Sequence, residues 1–426
     1  MTHSAFYGSI VFAFLLFGIV GCDDSPTDAN DEPDDPGGSG DIIEISTIDE
    51  LQLIGNDADY PLDGDYEIVD NIDADETAEW NDGEGFVPIG HESETFKSFD
   101  GTLDGLDHTI DGLTINQPDT RGVGLFVSTL ENVEIRDLNL KNVNVVGFAN
   151  VGALVGNANS TKLENITVEG SVEALSDRHA GLLAGRSDES TTNNVHVEGE
   201  VAGTGYLGGL FGTNSGYIEG SSAEVNIESE SNAVGGLVGT NTGEITESFS
   251  IGSISGRARL GGITGTNRGE ITESFAHVDI TEGWSRIGGI VGLSFEDGIL
   301  KNAYARGDIY GSRGSVGGAV GKSDRDAEGS GEITNVYVAG GVEEDDGRAG
   351  GVMGHNRGEI EVTHSYWNVE KSETESSVYE GPEGDNLEGL TSAEMQGDAA
   401  EENLSNFDFD DTWQIVSGDY PDLLWE

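Results

Sequence analysis

Short apolar runs separated by polar turns recur through the middle of this chain. With the second glycine of each run as reference, the copies stand at Gly124, Gly152, Gly181, Gly209, Gly236, Gly262, Gly289, Gly318 and Gly351, 26 to 33 residues apart. A period in that range marks a solenoid with one coil per copy. Within each copy the alternation has period two: Leu138 and Leu140, Ile166 and Val168, and Val195 and Val197 enclose Asn139, Thr167 and His196. That is the pattern of a strand with one buried and one wet face. Paired glycines disfavour helix by about 1 kcal/mol each and suit tight turns. A coil of this length holds about three short strands and three turns. The expected fold is all-β, a right-handed parallel β-helix of about nine or more coils of 26–33 residues, with short capping elements at both ends.

Two side-chain columns follow from the period. Five residues after the reference glycines stand Asn157, Arg186, Asn214, Asn241, Asn267, Ser294, Ser323 and Asn356. The asparagines, Asn157, Asn214, Asn241, Asn267 and Asn356, are expected to form a turn ladder in which each amide bonds to the coil above and below. The rings Phe249, Phe275, Tyr304, Tyr337 and Tyr366 recur once per coil and are expected to stack as packing. At the N-terminal end, Thr47 to Glu50 has capping-box spacing before Leu51, Leu53 and Ile54, predicting one short helix. Thr391 and Glu394 repeat the spacing, and Trp413, Ile415, Leu423 and Trp425 are expected to plug the far end.

The segments Gly235-Gly236-Leu237-Val238-Gly239 and Gly261-Gly262-Ile263-Thr264-Gly265 resemble the GLUG motif, a repeat of surface proteins that include adhesin-like proteins and some immunoglobulin A peptidases. The stretch Phe99 to Gly105 with His108-Thr109-Ile110 is similar to the opening rung of such arrays. Ser365-Tyr366-Trp367-Asn368 with Ser372 is similar to their closing segment. Residues 390–395, 413–416 and 420–423 resemble the usual tail, so the likeness covers residues 42 to 426. It implies a right-handed β-helix exposed at the cell surface and carries no catalytic set. The peptidase members owe their chemistry to a separate zinc domain that nothing here matches.

Residues 5 to 20 form an apolar run that ends in Ile19-Val20-Gly21-Cys22, which resembles the lipobox of exported lipoproteins. Cys22, the single cysteine, is the expected lipidation site and membrane anchor. Residues 2 to 9 carry no Lys or Arg, which leaves an uncleaved N-terminal transmembrane anchor as the alternative. The organisation reads as export signal with lipobox 1–22, an acidic Pro/Gly/Ser tether 23–40, an N-terminal cap and first rungs 41–120, repeats 121–372 and a C-terminal cap 373–426. With one cysteine, the exported part has no disulfide and depends on stacking.

The charge is −62, from 19 basic and 81 acidic residues. That excludes nucleic acid as an expected partner, since nucleic-acid binding needs clustered cations. Acid spread along the whole chain reads as adaptation to concentrated salt, where the Debye length falls to about 3 Å at 1 M. Asp70, Asp73, Asp75 and Glu76 share a loop but lack calcium-loop spacing, and no metal or cofactor is expected. His91-Glu92-Ser93-Glu94-Thr95 lacks the second histidine of a zinc peptidase helix. Acid pairs such as Asp100 with Asp104, or Glu343 to Asp346, arise by composition in a chain this acidic. Arg257, Arg259 and Arg286 occupy comparable loops of adjacent coils and are expected to pair with nearby carboxylates. Asn159, Asn165 and Asn403 lie in N-glycosylation sequons, open to modification if the chain is exported.

The expected function is a lipid-anchored, non-enzymatic surface protein of a halophile that presents a β-helical face to a cell-surface glycan, an extracellular polysaccharide or a surface-layer protein. A carbohydrate-active β-helix enzyme (polysaccharide lyase or glycoside hydrolase) and a purely structural envelope component are the alternatives.

Overall fold

The protein is described by a computed structural model covering residues 42–91, 96–230, 233–295, 297–324, 331–372 and 374–426, all within the compact unit Gly40–Glu426. Cys22, the export signal and the tether lie outside the described residues. The chain folds as a parallel β-solenoid of about 10 turns. One wall is a ten-stranded parallel sheet that runs from Phe126–Ser128 through Phe211–Asn214, Val238–Asn241 and Thr264–Asn267 to Val378–Glu380. The other walls merge into one 27-stranded sheet.

Apolar alternation sets the lumen. Leu138, Ile166 and Val195 stand in register on consecutive coils, and all are buried. The glycine pairs exist because the lumen is narrow where they turn. A Cβ on Gly209 would lie 2.5 Å from the Ala223 methyl, and one on Gly236 would lie 2.6 Å from the Ser250 hydroxyl. A second recurring bend uses left-handed backbone at Asp137, Asn165, Asn194, Glu247, Glu273, Asn302, Asn335 and His364, one per coil with Gly220 in the same column. Asn and Asp tolerate that conformation through local hydrogen bonds, and here they form an outer ladder: Asn194 donates to Asn165, which donates to Asp137, each at 2.7 Å.

The N-terminal end matches the sequence expectation and the C-terminal end departs from it. The N-terminal helix Ile48–Leu53 forms as expected, with Thr47 accepting from the Glu50 amide and Leu51 and Ile54 in the core. At the other end, Val378–Glu380 and Asp385–Leu390 still pair in register with the coil before, inside the stretch expected as cap. Trp367 fills the lumen there, between Gly351 and Gly389. Residues 391–426 then run back along the flank and build a second core outside the solenoid, with Met395, Leu404, Trp413 and Leu423 fully covered. Trp413 and Trp425 therefore cover a side wall and do not plug an end. Trp425 reaches far enough to donate to the Glu273 carbonyl at 2.9 Å.

Candidate binding surfaces

The buried asparagine ladder holds at three of its five predicted positions as a continuous chain. Asn214 donates to Asn241 at 3.0 Å and Asn241 to Asn267 at 3.1 Å, and each also closes its own turn through a glycine carbonyl two residues on. Asn356 is buried in the same column and accepts from Ser323 at 2.8 Å. Asn157, expected in the ladder, stands outside it. Its register partner is Arg186, and Ala158 and Ser187 occupy the inward column. Gly152 and Gly181 align with the first glycine of the later pairs, so counting from them is one residue off. A one-residue slip in a strand reverses the face, and Asn157 points outward to accept from Asn150 at 2.6 Å. The buried amides are satisfied by one another and offer nothing to a ligand.

Four of the five rings of the aromatic column stack as expected, while Tyr366, in register with Tyr337, packs edge-on against Phe407. Phe249 to Phe275, Phe275 to Tyr304, and Tyr304 to Tyr337 are 4.9, 4.8 and 4.8 Å between centroids, nearly parallel. The flanking tail covers it: Trp425 lies on Phe249 and Phe275, and Trp413 lies against Tyr304 and Tyr337. Arg306 locks the cover in place. It stacks on Tyr304 and donates to the Tyr337 hydroxyl, to the carbonyls of Tyr420 and Pro421, and to Asp422 at 2.6 Å. Burial pushes the Tyr304 and Tyr337 hydroxyls far above the ordinary phenol range. Beside them His277 is pushed down to about 4 by burial and by the Arg306 charge.

The three sequon asparagines are spread out. Asn165 is exposed on the outer ladder, whereas the amides of Asn159 and Asn403 donate to backbone carbonyls. Of the acid pairs, Asp104 is bound by Arg136 at 2.5 Å. Glu344 is buried and accepts from the amides of Asp346 and Arg348. Asp73 caps the amide of Asp75 in its own loop. Among the described residues, no three His, Cys, Asp or Glu side chains converge as a metal site. No described helix is long and apolar enough to cross a membrane.

Two of the three loop arginines, Arg257 and Arg286, depart from the expected pairing with carboxylates. Arg136, Arg186, Arg306, Arg348 and Arg357 each bind a carboxylate. Arg257 and Arg286 make no ion pair among the described residues. Arg257 lies instead over the exposed ring of Trp284, at 5.0 Å, and Arg313 from the next coil lies 5.8 Å from the same ring. Trp284 and Arg313 carried no period of their own in the sequence. The register of Ala258 with Ser285 is what brings Arg257 beside Trp284.

Outward positions elsewhere carry like charges in direct register: Glu169 opposite Glu198, Glu198 opposite Glu224, Glu244 opposite Glu270, and Glu332 opposite Glu361.

A stretch of 131 residues is 37% identical to halomucin from Haloquadratum walsbyi, covering 30% of this chain and 1% of halomucin. A proposed immunoglobulin A1 protease from Bacteroides ovatus aligns over 92% of this chain and 94% of its own, at 15% identity and a TM-score of 0.43. The fold stands on the strand register, independently of that alignment. No family model matches the chain, so the GLUG likeness rests on its motif residues.

Proposed function

We propose that this protein is a salt-adapted surface protein that presents the outer walls of its solenoid to an envelope or extracellular glycan partner, without catalysing a reaction. The observation that carries the reading is the set of glutamates in direct register, such as Glu169, Glu198 and Glu224 on three successive coils. Strands in a sheet lie about 4.8 Å apart, and like charges placed directly opposite destabilise the pair. Concentrated salt screens that repulsion. A wall built this way is suited to brine and to contact with solvent. Halomucin, a surface protein of a halophile, supports the same setting through the shared 131 residues. Membrane anchorage through Cys22 belongs to the proposal, as does the GLUG-type kinship.

The test is retention of the full-length protein, in molar KCl, on insoluble polysaccharides and on halophile envelopes, with the supernatant assayed for new reducing ends. Retention without fragments is the expected result. Release of fragments would make the protein a carbohydrate-active enzyme and overturn the non-catalytic part of the reading.

A further inference from the structure

We propose that Arg257 and Arg313, spaced by Trp284, form a binding site for an acidic polysaccharide on the outer edge of the solenoid. This deepens the surface-presentation reading and rests on it for its biological setting, though its chemistry stands alone. Three observations carry it.

The first is pairing. In a chain of 81 acidic and 19 basic residues, a surface arginine would be expected to hold a carboxylate. Arg257 and Arg313 hold none among the described residues, and both are exposed. Glu230 and Glu282 share a shallow depression with Arg257 yet form no ion pair with it.

The second is preorganisation. Arg257, Trp284 and Arg313 lie on three successive coils whose turns are tied by backbone bonds. The Trp284 amide donates to the Arg257 carbonyl at 2.9 Å, and the Ser312 amide donates to the Gly283 carbonyl at 2.8 Å. Both guanidinium groups rest against the one ring, at 5.0 and 5.8 Å. Stacking on an aromatic face fixes a guanidinium plane and leaves its edge of N–H donors free for a bidentate anion. Arg286, half-buried, follows Trp284 by two residues on the same coil.

The third is spacing. Two coil steps separate the backbones of the two arginines, about 10 Å and so the span of roughly two sugar rings, and their guanidinium groups lie 5.0 and 5.8 Å from the one ring between them. A polymer with a sulfate or carboxylate on every second sugar would place one anion at each guanidinium. Single-stranded nucleic acid fits less well, because its bases need bare aromatic faces to stack on, and the guanidinium groups lie against the Trp284 ring. In molar salt the acidic body repels a polyanion over only about 3 Å, so the contact is decided locally.

The experiment measures binding of the full-length protein to soluble dextran sulfate in 1 M KCl by tryptophan fluorescence and by calorimetry, with neutral dextran and single-stranded DNA as comparison polymers. The expected result is saturable binding of dextran sulfate. Arg257→Gln with Arg313→Gln should weaken it at least about tenfold, and the Lys pair, which keeps charge but loses the bidentate edge, should weaken it by less. Arg136→Gln, which removes one positive charge at an arginine already paired with a carboxylate, should leave it unchanged. Circular dichroism of each variant shows that the fold is intact. Equal losses at Arg136 and at the pair, no effect of the pair, or equal binding of DNA would each overturn the proposal. Failure of the full-length protein to stay on any envelope or polysaccharide gel would refute the broader function while leaving this soluble-polymer comparison readable.

Discussion

One outward column of the solenoid carries two kinds of surface. In register, coil by coil, it reads Thr109, Asn139, Thr167, His196 and Ser222, then Phe249, Phe275, Tyr304, Tyr337 and Tyr366. The backbone geometry repeats at every step, so the change from polar residues to rings alone decides what the wall does. The column two residues further along changes with it, from Glu169, Glu198 and Glu224 to Ile251 and His277. Over the polar half the wall is open to solvent. Over the aromatic half the tail 391–426 builds a second core. A repeat array is stabilised mainly by contacts between neighbouring coils, and this one adds a strap that ties five coils together from outside.

The largest test of that difference removes the centre of the strap. Trp413 is fully buried against Phe407, Tyr337 and Tyr304. Trp413→Ala should cost the covered half about 3–5 kcal/mol. Hydrogen exchange should rise in Phe249–Ser255 and Glu270–Glu282 and stay unchanged in Lys162–Ala174. Trp413→Phe keeps most of the packing and also removes an indole N–H that has no acceptor among the described residues, so it should cost far less. Uniform loosening of all coils would show that the two halves share one stability.

Much of this molecule is legible in its sequence because a solenoid converts spacing into contact. Coil length, the Leu138 and Leu140 alternation and the ring column are all periodic, and all hold. Two features were not legible, for different reasons. Asn157 was misplaced because the early coils carry one glycine where later coils carry two, and a strand turns a one-residue offset into the opposite face. The course of the tail follows from contacts such as Trp425 with Glu273, 152 residues apart, which no local pattern encodes. Trp284 and Arg313 fall in the same class, since their meeting with Arg257 depends on register across coils.

A smaller effect separates the halves by pH. His277 lies under the tail against Phe275 and Tyr304, with Arg306, Asp419 and Asp422 as the charges that face it. Its pKa is pushed down to about 4 from an ordinary 6.5. Below pH 6.5 the unfolded chain takes up a proton that the folded ring refuses. Stability is therefore full above pH 6.5, falls as pH drops toward 4, and falls no further from this group below that. His179, in the uncovered half, is also pushed down to about 4 and has the same sign. The melting temperature should drop between pH 7 and pH 4.5. In His277→Gln the drop should shrink, and hydrogen exchange should show the gain confined to the covered coils. An unchanged acid response in that variant would mean that the tail does not hold the ring neutral.

The smallest effect belongs to the open half and tests its acid. Glu198 has Glu169 on one side and Glu224 on the other, all three exposed. Replacing it with Gln removes two direct repulsions, each worth a few tenths of a kcal/mol up to about 1. At 1 M salt the Debye length of about 3 Å is shorter than the spacing between strands, whereas at 0.01 M it is about 30 Å and spans several coils. Glu198→Gln should therefore raise the melting temperature at low salt and do almost nothing in molar KCl. Under the tail the same salt change should matter less, because Ile251 and His277 stand where the glutamates would be. A benefit of Glu198→Gln that persists undiminished in molar salt would point to packing or hydrogen bonding at that position, and the salt adaptation would have to be sought elsewhere on the wall.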